Sequence, residues 1–582
     1  MTKVLFIIPP HISFADFLAP LSNAKQIRKK DGKLYGSLVT DMPLGALSLS
    51  SYVKKYCKTD VETDLLDFNI ELNEIDTFDH ASPSAYYEDY LRNDVDAEPD
   101  IIALSALFSS SYYNMLDIVA SCRKIFPNTL ILAGGSVPTS MYEYLFKATD
   151  AFDALCYGEG ELPFAKLIDS PDRRAFLEEH SSWITRKKID AHAMFTHEFI
   201  DDLDEIPFYD YDICKMEKYG ANPAIMAYGS IKDQIDNFHV MTSRGCPFRC
   251  TFCASHKVHG RTMRYYSLPR VKEDLKRLKD MYGAKIFVFQ DDHFMADTER
   301  AKDIARFVSS LGVKAVFQNG LTLYALDKEM LQVLKNAGAD QLVLPVESGS
   351  ARVLKEIMRK PLKLAIAERV ADDCRELGIY SNVNILIGMP GETKQDIEDS
   401  RQFLRKLNAN WKIIIVATPL VGAEMHDICV DKKYIDSADI GCDFRKAVVE
   451  TEDFTPQYIQ EVTYDINLDV NFLHNTDFKL GEYELALTGF ETAIRAKEDH
   501  GIAYHYASMC YEQLGNHEKA EKYKQVAINA YENDPVWRKA FDRFNLSPYY
   551  HDIELHHQLR IRSCEASAAR QATEEANEAI FA

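Results

Sequence analysis

Cys246-Pro-Phe-Arg-Cys250-Thr-Phe-Cys253 decides how the rest of the chain is read. Three cysteines fall within eight residues, after a strand-like run, Phe238-His-Val-Met-Thr242, and an Arg244-Gly245 turn. Three thiolates this close can hold three irons of a cubane cluster and leave the fourth iron without a protein ligand. Clusters that only carry electrons are normally closed by four cysteines, and an open coordination position marks chemistry as it does at zinc. Two other readings stand beside this one. The thiols are buried by chance, or they are three ligands of a structural zinc completed by His256. The zinc reading lacks a second Cys-x-x-Cys or His-x-x-x-His half at the usual spacing. Twelve cysteines in 582 residues is an ordinary density, so three in one octet is a departure from scatter.

A chain of 582 residues is too long for one core, so two to four domains are expected. The composition, 46% hydrophobic and 27% charged, is that of a soluble globular protein. No apolar run reaches the roughly 18 residues that a membrane span requires; the longest, Ile413 to Ala423, contains Pro419. The opening Met1-Thr-Lys-Val-Leu-Phe-Ile-Ile-Pro-Pro10 lacks the length and cleavage site of a secretory signal. A cytoplasmic setting with reduced thiols is expected. The formal charge of −22 argues against a nucleic-acid partner, because such binding depends on neutralising phosphates.

Residues 1–165 alternate β-branched runs (Lys3–Ile8, Glu62–Phe68, Ile101–Leu107, Leu130–Ala133, Ala154–Tyr157) with helical patterns such as Leu44–Tyr56 and Tyr113–Phe126. That alternation predicts an α/β, doubly wound, Rossmann-like domain with ligands at the carboxyl ends of its strands. Residues 166–235 read as a linker, acidic and proline-punctuated around Asp201–Asp210. Residues 236–425 carry six strand–helix units, which predict a (β/α)6 arrangement with its site at the strand carboxyl ends. Residues 426–477 are an accessory, substrate-shaping region. Across 478–547 an internal repeat appears: Leu480-Gly481, Ala486 and Ala493 recur 34 residues later as Leu514-Gly515, Ala520 and Ala527. That is the tetratricopeptide period, and it predicts paired helices able to dimerise or bind a protein partner. The tail, 548–582, is expected to fray.

The Cys-x-x-x-Cys-x-aromatic-Cys spacing resembles the radical SAM superfamily. The resemblance implies a 4Fe–4S cluster on Cys246, Cys250 and Cys253, whose open iron chelates S-adenosylmethionine, inside a partial (β/α)6 barrel. Phe252 matches the aromatic packed near the adenine. Gln290-Asp291-Asp292 stands where the family's acidic motif receives the S-adenosylmethionine amine, although adjacent acids at a strand end are also common helix caps. Glu347-Ser348 resembles the family's element near the ribose and carboxylate, and Gly388 its adenine-side motif, with Asn384 replacing a glycine. Ser105-x-Leu107, Gly134-Gly135-Ser136 and Gly158-Glu159-Gly160 resemble, in this order, the cobalamin-binding domains fused to radical SAM enzymes. The first part of the cobalamin signature would fall near Asp67-Phe-Asn69, where Asn69 stands in place of the cobalt-ligating histidine.

The resemblance implies a cobalamin-dependent enzyme that forms a 5′-deoxyadenosyl radical and methylates an unactivated carbon of a small molecule, fed by an external donor such as flavodoxin or ferredoxin. Radical cyclisation or rearrangement without net methylation, and a non-catalytic iron–sulfur scaffold, are the other readings. No catalytic acid or base is assigned.

Overall fold

The computed structural model describes residues 1–20, 26–38, 40–95, 97–219, 236–436, 439–441 and 446–549. The tail from 550, the linker stretch 220–235 and Cys442 lie outside the described residues.

The amino-terminal sheet has six strands in the order Val61–Asp67, Thr2–Ile8, Ile101–Ser105, Leu130–Gly134, Ala154–Cys156, Trp183–Ile184. The first five are parallel, and the last pairs antiparallel to Ala154–Cys156. Along Thr2–Ile8 the side chains go alternately to two cores: Val4 and Phe6 to one, Leu5 and Ile7 to the other. Burial on both faces explains why this strand reads as one unbroken apolar run. The strand order reverses direction between Thr2–Ile8 and Ile101–Ser105, the switch point at which such sheets open a crevice for ligands.

Part of the expected linker belongs to this domain. Helices Glu161–Asp169 and Arg173–Glu179 and the short strand Trp183–Ile184 continue the sheet. The strand is only two residues long, too short for an alternation to show in the sequence. The remainder, from Ile200 to Tyr219, runs across the junction with Leu203 and Ile206 fully buried in the core of the central domain.

The central domain has six parallel strands in chain order. Asn237–Val240, Ile286–Phe289 and Lys314–Phe317 form one hydrogen-bonded set; Gln341–Glu347, Tyr380–Ile387 and Trp411–Val416 form the other. The sets meet where Lys314–Phe317 lies beside Gln341–Glu347. The helices are set by local chemistry: Ser267, Asp297, Asp327 and Thr393 cap the four that follow them by accepting from the first-turn backbone. The outer edge of the last strand is covered by residue 471. The Asn471 amide accepts from Lys412 N at 2.9 Å and donates to Lys412 O at 2.6 Å, satisfying backbone groups that a seventh strand would have taken.

The carboxyl-terminal helices Tyr483–Ala496, Gly501–Gln513, His517–Asn533 and Pro535–Arg543 share a core with Tyr380 and Trp411, the first residues of the last two strands. They close the amino ends of those strands. Gly489 makes this possible, since a Cβ there would lie 2.4 Å from the Trp411 ring. Gly489→Val forces the helix off the strand end at an overpacking cost of about 2 kcal/mol. We expect the thermal unfolding midpoint to fall by several degrees, with a wild-type midpoint contradicting the packing.

Candidate functional site

The cluster loop is held from three directions. Gly245 has φ 94°, and a Cβ there would sit 2.3 Å from Thr262 O, so only glycine makes the turn into Cys246. Thr251 donates its backbone N–H to Met358 O (3.1 Å) and its hydroxyl to Ile357 O (2.8 Å), tying the loop to the segment after the fourth strand. Met425 N donates to Thr251 O at 2.8 Å, tying it to the helix after the sixth. Arg261 donates to Phe248 O inside the loop. Between these anchors Cys246, Cys250 and Cys253 are free and half-buried. Burial pushes the Cys246 thiol up to about 11, reinforced by Cys253 and Asp292; burial also raises Cys250, against the pull of Lys360. Neutral pH alone leaves both protonated, so a cationic metal centre is what turns them into ligands.

The strand ends bring the expected acids to this loop in distinct roles. Asp291 is buried and spent: its carboxylate accepts from Thr242 N (3.1 Å), Thr242 Oγ1 (2.7 Å) and Ser243 Oγ (2.5 Å), stitching the second strand to the first. Asp292 faces the Gly245 backbone; burial raises its pKa, opposed by His259 and reinforced by Glu159. Glu347 sits at the end of the fourth strand with φ 72°, left-handed for a non-glycine residue, and pairs with Lys360 at 3.4 Å. Such strain persists where the surroundings hold a side chain for a purpose. Ser348 turns away from the site: its hydroxyl lies 3.3 Å from Ser400 Oγ and accepts from Ser350 N at 3.1 Å. Gly388 N donates to the buried Glu392 at 2.7 Å, and Phe252 packs on the central core.

Across from the loop, the carboxyl ends of the amino-terminal strands enclose a cavity of about 120 Å3, lined by Ser105, Gly134, Gly135, Cys156 and Gly160 and closed by Val258 and His259 from beside the cluster loop. Gly135 crowds Ala106 O, 2.7 Å from where its Cβ would be, and Ser136 opens the following helix. In the segment after the strand Ile101–Ser105, Leu107, Phe108 and Tyr113 are 67%, 41% and 47% exposed.

Two residues of the expected cobalamin segment have protein partners of their own. Asn69 lies outside the cavity lining: its Oδ1 accepts from His11 N at 3.0 Å and its Nδ2 donates to Asp67 (2.9 Å) and Pro9 O (3.2 Å). It braces the loop after the first strand. Glu159 borders the cavity, but its carboxylate is taken by Arg244 (3.0 Å), His259 (2.8 Å) and Arg264 (3.0 and 2.5 Å). Arg244 also pairs with Glu161 at 2.7 Å, and Ser48 donates to Glu161 at 2.6 Å. This buried charge cluster joins the amino-terminal domain to the turn before Cys246. Its signal in the sequence was an arginine inside a strand of otherwise buried residues, which demands a buried acid.

Two family models match this chain. Residues 240–404 match the radical SAM superfamily and residues 42–168 the B12 binding domain. An uncharacterized methyltransferase of Pyrococcus horikoshii is 27% identical over 333 residues, which is 57% of this chain and 70% of that one. The cytidylyl-2-hydroxyethylphosphonate methyltransferase of Streptomyces wedmorensis is 26% identical over 369 residues, 58% of this chain and 68% of that one. Among solved structures, the cobalamin-dependent S-adenosylmethionine radical enzyme OxsB, with aqua-cobalamin and S-adenosylmethionine bound, superposes with a TM-score of 0.57 at 15% identity, covering 97% of this chain and 84% of that one. The chain thus carries a B12-binding domain followed by a radical SAM domain, and its cofactors are a 4Fe–4S cluster, S-adenosylmethionine and cobalamin.

The residues present fit these groups. Cys246, Cys250 and Cys253 are free thiols on one half-buried loop, and a cubane takes each thiolate on its own iron. Asp292 and the strained Glu347 offer carboxylates to a cationic ligand. The glycine-edged cavity, where Gly134 and Gly135 carry no side chain, leaves room for the narrow tail of a corrinoid.

Burial, the largest single influence, would raise both Glu159 and Glu161; Arg244, joined by His259 and Arg264 at Glu159 and by Ser48 at Glu161, brings both below the ordinary carboxylate range. The stability they contribute is therefore full above the unfolded value and lost only as pH falls through the depressed native values. Arg244→Met should leave the buried Glu161 without its cationic partner and loosen Glu159, which keeps Arg264 and His259, at a cost of about 3 kcal/mol. At pH 7 it should lower the thermal midpoint and open residues 200–219 to limited proteolysis; unchanged cleavage would count against the clamp.

Proposed function

We propose that this protein is a cobalamin-dependent radical SAM methyltransferase acting on an unactivated carbon of a small molecule. One observation carries the reading. A loop with three half-buried free cysteines at the carboxyl ends of six parallel strands faces, across a buried charge cluster, a glycine-edged cavity at the carboxyl ends of a second parallel sheet. An enzyme that must bring a radical source and a methyl donor to the same carbon needs two such sites mouth to mouth. When bound, the cluster with S-adenosylmethionine supplies the hydrogen-abstracting radical and cobalamin the methyl group.

The chain's own residues supply placement. Cys246, Cys250 and Cys253 hold the cluster on a loop fixed through Thr251 and Gly245. Asp292 takes the amine of S-adenosylmethionine and Glu347 its ribose side. Ser348 fixes the turn that aims Glu347, Gly388 lets the backbone approach the adenine, and Phe252 walls the same side. Ser105, Gly134, Gly135 and Ser136 hold the tail of the corrinoid, with Leu107 against its face, while Glu159 positions the two domains. The carboxyl-terminal helices, a tetratricopeptide-like pair in this reading, shut the far end of the strands against water. An external one-electron donor of the flavodoxin or ferredoxin type starts each turnover.

Cys250→Ala should remove the visible cluster absorbance of the anaerobically reconstituted protein and abolish formation of 5′-deoxyadenosine and of methylated product from methyl-labelled S-adenosylmethionine. Glu347→Gln should keep the absorbance and lose cleavage about 10- to 100-fold, the worth of one charge-assisted hydrogen bond. Turnover retained by Cys250→Ala removes the mechanism.

A further inference from the structure

Alternate residues of the central strands face the helices and join the main core, as Phe238, Val240, Phe287, Phe289, Ala315 and Phe317 do. The others face inward, and the strand register puts His239, Gln290 and Gln318 on that inner parity. Full barrels fill this space with branched apolar layers. Here it holds an imidazole, two amides and a carboxylate, Asp41, brought in by the loop before helix Leu44–Tyr56 of the other domain.

One fixed point orients them all. An ionised Asp41 can only accept, so Gln318 donates its Nε2 to Asp41 Oδ2 at 2.6 Å and turns its Oε1 to Gln290. Gln290 Nε2 donates to Gln318 Oε1 at 3.1 Å and to His239 Nδ1 at 2.8 Å. His239 Nδ1 is therefore an acceptor and its proton sits on Nε2, on a ring that burial keeps neutral. The relay ends with two buried atoms that have no hydrogen-bond partner among the described residues, the His239 Nε2–H donor and the Asp41 Oδ1 acceptor, 3.9 Å apart. Asn382, also inward-facing and fully buried, has both amide atoms unpartnered. Each such group costs about 1–3 kcal/mol unless something fills it, and native interiors keep few.

The chemistry of the pair selects its ligand. A group that bridges it must accept from an imidazole N–H and donate to a carboxylate at once. A hydroxyl does both, whether of water or of a bound molecule, whereas an ammonium cannot accept, a phosphate or carboxylate is repelled by Asp41, and a hydrocarbon leaves both atoms bare. We propose that Asp41 and His239 recognise a hydroxyl group of the substrate, so that the acceptor of the methyl group is a water-soluble, hydroxyl-bearing small molecule. The proposal rests on the methyl-transfer reading and adds the substrate class.

The test uses the reconstituted holoenzyme with methyl-labelled S-adenosylmethionine and two fractions of a cell extract, water-soluble and chloroform-soluble. Labelled product is expected in the water-soluble fraction on a hydroxyl-bearing compound. Asp41→Asn, which keeps the shape and puts a donor where the free acceptor was, should lower kcat/KM for it about 10- to 100-fold, mainly through KM. His239→Phe, which removes the donor and leaves Asp41, should do the same. Iron and cobalt content and the thermal midpoint establish that each variant is folded and loaded. Label found only in the chloroform fraction, or wild-type kinetics in both variants, overturns the proposal and leaves methyl transfer standing. No labelled product in either fraction removes the methyl-transfer reading and the proposal with it.

Discussion

Arg244 is the constraint on which the arrangement depends. It is 4% exposed, lies two residues before Cys246, and is held by carboxylates from the other domain, Glu159 and Glu161. A guanidinium buried this deeply is tolerable only while paired, and each carboxylate likewise. The two domains therefore cannot drift apart without exposing or stranding charge. The same residues that fix the domains fix the cluster loop relative to the B12-binding sheet, because Arg244 leads into the Gly245 turn and Glu159 also holds Arg264 beyond it.

The positioning is relayed through backbone and side chains together. Thr251 hangs the middle of the loop on Met358 and Ile357, just past Glu347, and Met425 ties it to the last helix of the six strand–helix units. Asp291 uses its whole carboxylate to join the first two strands, which leaves its neighbour Asp292 as the one facing the loop. Adjacent acids of identical chemistry thus part into a structural and a site-facing residue by the alternation of the strand they end.

The strands of both domains were legible because each is a short β-branched run buried on at least one side and bounded by turn residues. The cluster loop was legible because cysteine spacing survives without tertiary information. What the sequence hid depends on direction. Ser348 has the residue type of a ligand contact, yet its hydroxyl turns to Ser400. Glu159 reads as a loop carboxylate, but three basic residues from distant segments consume it. The Trp183–Ile184 strand is too short to show a period, and Asp41 reaches the central domain from a loop whose composition announces nothing.

Asn471 has a consequence for how the protein behaves in solution. The unpaired rim of a terminal strand is a template on which a second polypeptide can build, the usual seed of fibrous association. Here one carboxamide answers the Lys412 N–H and C=O together, and Asn471 is itself buried beneath the strap that carries it. At Lys412 the last strand is therefore blunted against a second chain by one side chain, with no further strand needed there.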